Sequence, residues 1–220
     1  LLAHVEITRG AHHFGGVSNK IFGRIVTEEE VAAVAGAIDD AEVEINVTQS
    51  RIYVDIKHPK YEASRIIGMA GVHNSSFEVK GKRGGGVGTT VFASQVKHAA
   101  AMGLESISTE AVGSSGDPDY NGYYTWARLG YDARLDTTSV SMGRLRANFP
   151  DAEKISDLMK TPEGRTYWKE NGGGFSGIFD LREGSQSRKV LDAYVAAKTK
   201  GTPGTKSTEP CRVPAGSSEG

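Results

Sequence analysis

Residues 82–90 read Lys82-Arg83-Gly84-Gly85-Gly86-Val87-Gly88-Thr89-Thr90, with four glycines in five positions. Just upstream, Phe77 and Val79 alternate with polar residues in strand fashion. Downstream, Phe92, Val96, Ala99 and Ala100 recur at helical spacing, and Gly103 marks the helix end. Glycines at a strand-to-helix turn remove every side chain where the backbone bends, so several N–H groups can converge on one point. The helix dipole adds about half a positive charge there. Such a turn suits a phosphate or pyrophosphate, with Lys82 and Arg83 as countercharge and the Thr89 and Thr90 hydroxyls as donors.

The spacing selects among loop types. A Walker A loop ends in Gly-Lys-Ser/Thr, whereas Gly88 runs straight into Thr89. A dinucleotide fingerprint needs a third glycine, and Val91 stands in its place. The pattern that fits is Arg-x-x-Gly-x-Gly at Arg83, Gly86 and Gly88. Glycine is abundant throughout, 28 in 220 residues, about twice the usual share. Position rather than abundance therefore carries the signal. The second cluster, Gly172-Gly173-Gly174, joins the end of a helical run to a strand and needs no ligand to explain it.

Other chemistries find little support. The histidines His4, His12, His13, His58, His73 and His98 lack metal-ligand spacing, so no metal is expected. Cys211 stands alone in a Gly/Pro/Ser/Thr-rich tail and makes a poor nucleophile, and there is no Gly-x-Ser-x-Gly elbow. With 26 Lys and Arg against 27 Asp and Glu, the net charge of −1 offers no footprint for nucleic acid. No apolar run approaches the roughly 20 residues of a membrane helix, so a cytoplasmic chain without a membrane partner is expected.

The elements that must position the glycine turn follow from periodicity. Thr27-Glu28-Glu29-Glu30 is a capping box opening a helix. Residues 43–47 and 52–56 alternate around Gln49-Ser50 as a hairpin. Residues 61–69 fit a strand or a short helix, and 76–80 fit a strand. A helix over 89–102, a strand over 104–111 and an aromatic-rich helix over 121–129 follow. Helices are expected over 152–159, 162–170 and 187–197, and a strand over 175–181. The stretch 9–16 is polar and rich in Gly and His, and reads as loop. The chain thus divides into a poorly defined segment 1–26, a core 27–150, helices and a last strand 151–200 completing the domain, and a disordered tail 201–220. Because it begins Leu1-Leu2, it reads as a fragment or processed segment, part of a larger polypeptide. The expected class is α+β: a mixed, mostly antiparallel sheet with one parallel crossover, flanked by helices, with a C-terminal helical extension.

Arg83, Gly86 and Gly88, the helix and strand after them, Asn121, and the run Thr125-Trp126-Ala127-Arg128-Leu129-Gly130-Tyr131 together resemble the GNAT (N-acetyltransferase) superfamily over roughly residues 40–132. The aromatic run is also similar to GNAT-like domains of uncharacterised phage and mobile-element proteins. The resemblance implies acetyl-CoA as acyl donor, held by Val79, Arg83, Gly84, Gly85, Gly86, Val87, Gly88, Thr89 and Asn121. It further implies that strands 76–80 and 104–110 splay to hydrogen-bond the pantetheine arm. An amine would then attack the thioester directly, with Glu78 or Glu110 accepting its proton. Trp126 stands where the family carries its proton-donating tyrosine, and indole cannot protonate a thiolate, so Tyr124, or Tyr123, becomes the nearby hydroxyl. The function implied is an acyl-CoA-dependent N-acyltransferase; the alternative is an inactive GNAT-like binding or structural domain of a larger protein.

Overall fold

Alternation of apolar and polar residues drives the sheet. Val43, Ile45 and Val47 face Ile52, Val54 and Ile56 across a hairpin, and all six are buried. The computed structural model describes residues 3–81, 86–117 and 120–200, the side chains of residues 199 and 200 excepted. The tail 201–220 lies outside the described residues. Seven strands lie in chain order in one sheet: β1 (His4–Arg9), β2 (Glu42–Val47), β3 (Ile52–His58), β4 (Tyr61–Gly68), β5 (Gly71–Val79), β6 (Ser106–Ser114) and β7 (Gly173–Asp180). Neighbours from β2 to β5 are antiparallel, as are β6 and β7.

Eight helices flank the sheet among the described residues. They are α1 (Ala11–Phe22), α2 (Glu28–Ala35), α3 (Val87–Ala101), α4 (Gly122–Arg128), α5 (Met142–Asn148), α6 (Ile155–Met159), α7 (Pro162–Asn171) and α8 (Gln186–Lys200). The chain is therefore α+β with a mixed sheet. The ambiguous run after residue 60 is strand β4, because Tyr61, Ala63, Arg65 and Ile67 alternate inward.

Three expectations are corrected. Residues 3–26 are not poorly defined: β1 pairs in parallel with β2, and α1 follows. The stretch 9–16 is not loop, because Phe14, Val17, Ile21 and Phe22 recur at helical spacing and pack against the core. Left-handed Gly10 and Gly23 bound that helix. Gly10 must be glycine, since a Cβ there would sit 2.0 Å from the Val47 carbonyl oxygen. The sheet consequently holds two parallel pairs, β1/β2 and β5/β6, rather than one.

Helix α2 starts where the capping box places it. Thr27 accepts from the Glu30 amide and the Glu30 carboxylate accepts from the Thr27 amide. Arg24 also binds Glu30, holding its carboxyl down at about 2.

Candidate functional site

Strands β5 and β6 pair at only three positions: Val72 with Ile107, His73 with Ser108, and Asn74 with Thr109. Beyond them β5 stays on β4 as far as Val79, and β6 stays on β7 as far as Ser114. The two strands thus diverge into a wedge with its vertex at Asn74 and Thr109. Two features shape it, one on the diverging arm and one at the vertex.

The first is a bulge. Ser64 faces Ser76 while Arg65 faces Asn74, so Ser75 is an extra residue on β5. Such insertions bend and twist the strand that carries them.

The second is a buried polar network at the vertex. The Asn74 and Gln95 side chains donate to each other at 3.0 and 2.9 Å. Asn74 also donates to the Tyr131 hydroxyl at 2.9 Å, and Thr109 Oγ1 donates to the Asn74 carbonyl at 3.0 Å. Gln95 further donates to the Ala35 carbonyl at 3.5 Å, at the end of α2. Burial pushes the Tyr131 hydroxyl well above its usual pKa, so it stays a neutral hydrogen-bonding group. These partners let a polar cluster sit in the core and lock α2, α3, β5 and β6 together.

The mouth of the wedge is the start of α3. Gly86 takes the left-handed conformation (φ 82°) at the N-cap, and no side chain caps the helix. The amides of Val87, Gly88 and Thr89 find no acceptor among the described residues. The helix dipole and these N-terminal amides together favour an anion there. The Thr90 hydroxyl instead donates to the Gly86 carbonyl at 3.2 Å. A Cβ on Gly88 would lie 3.2 Å from Phe77 Cε1, so glycine lets α3 approach β5 closely. Val79 flanks the same position, its Cγ2 3.9 Å from that Cβ. Lys82, Arg83, Gly84 and Gly85, the first part of the predicted loop, lie outside the described residues.

Aromatic rings line the wedge. Phe77 and Trp126 meet with centroids 6.1 Å apart, and Trp126 packs edge-on against Phe92 and Tyr131. On the β6 side, Gly113 bridges Asn121, and a Cβ on Gly122 would sit 2.9 Å from the Val112 carbonyl oxygen. The start of α4 therefore lies against β6. Asn121 occupies the N-cap of α4 with its side chain uninvolved in capping.

The predicted acid–base residues separate. Side chains alternate along a strand, so Glu78, next to Phe77, and Glu110, next to buried Thr109, both point to the sheet face opposite α3. Glu78 lies across from Glu62, whose carboxylate is 2.7 Å from Lys80. Glu110 accepts from Ser176 Oγ at 2.7 Å and borders a groove of about 430 Å³ with Val112, Thr137 and Phe175. The Tyr124 hydroxyl accepts from Arg128 Nη1 at 3.0 Å, and the Tyr123 hydroxyl donates to the Lys169 carbonyl at 2.6 Å. At about 3.6 residues per turn, Tyr124 and Trp126 emerge on nearly opposite sides of α4.

Sequence reasoning overlooked Asn74, Gln95 and Arg65. Gln95 did leave a trace, because it stands among Val91, Phe92, Val96 and Ala99 on the buried stripe of α3. Among the described residues, no group of three or more His, Cys, Asp or Glu side chains could hold a metal ion, and no helix is long and apolar enough to cross a membrane. Compared with known proteins, the chain matches no family model, no curated protein and no solved structure.

Proposed function

We propose that the protein is an acyl-CoA-dependent N-acyltransferase, taking acetyl-CoA as donor and an amine as acceptor, on a GNAT-like fold. The observation that carries this reading is the wedge between β5 and β6 with an uncapped, glycine-bearing helix start at its mouth. The residues fit the donor. The β6-facing edge of β5 beyond Asn74 has no strand partner among the described residues and can pair with an amide-containing arm, as an exposed sheet edge pairs with an extended peptide. The amides of Val87, Gly88 and Thr89, with Arg83, Gly84, Gly85 and Gly86 before them, suit a pyrophosphate. Val79 and Asn121 complete the two walls. When bound, acetyl-CoA supplies an acyl carbonyl activated as a thioester.

The chain's own contribution is positioning and proton transfer. A carbon–nitrogen bond forms as the carbon–sulfur bond breaks, sulfur leaves as thiolate, and the nitrogen loses one proton. Glu110 is placed to accept that proton, directly or through water. Ser176 orients one carboxylate oxygen, and the groove leaves room for the amine. Glu78 lies instead in a row of surface charges with Glu62 and Lys80. A thiol is acidic enough for its thiolate to leave without a strong acid, so Trp126 is compatible with turnover.

The experiment is an acyl-transfer assay over a panel of amines. Glu110→Gln should lower kcat by about 100-fold, with little change in KM for acetyl-CoA. Tyr124→Phe should stay within about twofold of the parent at every pH, because loss of a general acid would cost about 100-fold or more. Parental turnover in Glu110→Gln would remove Glu110 as the base, and a large loss in Tyr124→Phe would restore the tyrosine as proton donor.

A second reading is a domain that holds acyl-CoA without transferring the acyl group. It is favoured by Trp126 at the donor position and by the engagement of the Tyr123 and Tyr124 hydroxyls elsewhere. Stabilisation by acetyl-CoA without transfer to any amine would select it.

A further inference from the structure

Strand β4 carries a charge into the core. Arg65 is 2% exposed, and no carboxylate pairs with it among the described residues. Buried charges are rare unless paired, so this one needs an explanation. Its donors go to three main-chain carbonyls. Arg65 Nε donates to Ala35 at 3.3 Å, and Nη1 donates to Ser64 at 3.0 Å and to Ser76.

Those carbonyls mark the joints of the wedge. Ala35 ends α2, where the helix dipole is negative and suits a cation. Ser64 is the last β4 residue in register before the bulge, and Ser76 is its partner on the diverging arm of β5. The guanidinium also lies 5.6 Å from the centroid of Phe77, whose ring lines the wedge. Burial pulls its pKa down to about 10, which leaves it charged at neutral pH.

We propose that Arg65 is the positioning residue of the wedge. By holding Ser76 and Ala35 at once, it sets the angle at which the β5 arm leaves β6, and so the edge presented to the ligand. Only a planar fork with several fixed donors can reach carbonyls on three elements; a lysine is a point charge on a flexible stem. The ligand-binding part of this inference rests on the acyl-CoA reading, while the structural part stands independently.

The test compares the parent with Arg65→Gln and Arg65→Lys. Amide exchange in the ligand-free proteins should accelerate over residues 75–79 by about tenfold or more in Arg65→Gln, equivalent to roughly 1.4 kcal/mol of lost local protection. It should accelerate less in Arg65→Lys, and β2 and β3 should keep their parental rates. The Kd for acetyl-CoA should rise by at least about tenfold in Arg65→Gln and partly recover in Arg65→Lys. Leu145→Ala, in α5 and outside the wedge, provides a control of comparable instability that should leave Kd unchanged. Parental exchange over 75–79 in Arg65→Gln would overturn the proposal, as would an equal rise of Kd in Leu145→Ala. Should Arg65→Gln fail to fold, parental exchange over 75–79 in Arg65→Lys would overturn it equally. A parent that binds no acetyl-CoA would sink the acyl-CoA reading while the exchange result still decides the role of Arg65.

Discussion

Gly88→Glu is expected to abolish stabilisation by acetyl-CoA while leaving the protein folded. Gly88 lies in the first turn of α3, where a carboxylate complements the dipole and does not unsettle the helix. The new side chain must emerge beside Phe77, whose Cε1 would lie 3.2 Å from the added Cβ. The phenyl ring has to give way, and a negative charge then occupies the spot proposed for the pyrophosphate. Crowding and like charge together should weaken binding by about 100-fold or more, roughly 2.8 kcal/mol. Gly88→Ala adds the crowding without the charge and should weaken binding less. Gly86→Glu is a poorer probe, because its φ of 82° strains any side-chain-bearing residue in the apo protein too. Calorimetric titration of Gly88→Glu, with a melting curve to confirm folding, checks the expectation. Parental affinity in a folded Gly88→Glu protein would move the anion site away from α3.

Asn74→Ala should destabilise the protein by roughly 2–4 kcal/mol, a large part of the 5–15 kcal/mol typical of a domain. Asn74 sits at the vertex, 3% exposed, and three partners depend on its side chain: both polar atoms of the Gln95 amide, and the Tyr131 hydroxyl. Removing it strands the Gln95 amide oxygen and the Tyr131 hydroxyl, leaves the Gln95 amide nitrogen only its long bond to Ala35, and opens a small void beside them. Gln95→Leu should cost less, since it deletes the amide while leaving Asn74 bound to Tyr131 and Thr109. Equilibrium denaturation read with an unchanged m-value measures the difference. A loss below about 1 kcal/mol in Asn74→Ala would mean that the network does not hold the vertex.

Much of this architecture is local and therefore legible. Helix α3 announces itself through Phe92, Val96 and Ala99, and the glycine turn through its place between two periodic runs. The capping box at Thr27 locates α2 to the residue. Helix α1 hides because Gly15, Gly16 and two histidines interrupt its apolar positions. Its helicity follows from burial of Phe14 and Val17, not from propensity. The wedge is illegible for a different reason. Asn74 and Phe77 share a face although they lie three positions apart, because the bulge at Ser75 shifts the phase of β5. Nothing in the local sequence marks that shift, so the face of Glu78 could not be read from alternation with the start of β5. Glu110 gains its distinction only from Ser176, a β7 residue 66 positions away.

The central claim is that the divergent arms of β5 and β6 form the acyl-CoA site. Amide exchange of the parent protein, with and without saturating acetyl-CoA, tests it most directly. The account predicts slowed exchange over residues 75–79 and over the amides of Val87, Gly88 and Thr89, with β2 and β3 unchanged. No protection at either segment would contradict it. So would protection confined to the groove between α3 and α8, lined by Val96, Lys97, Leu191 and Val195.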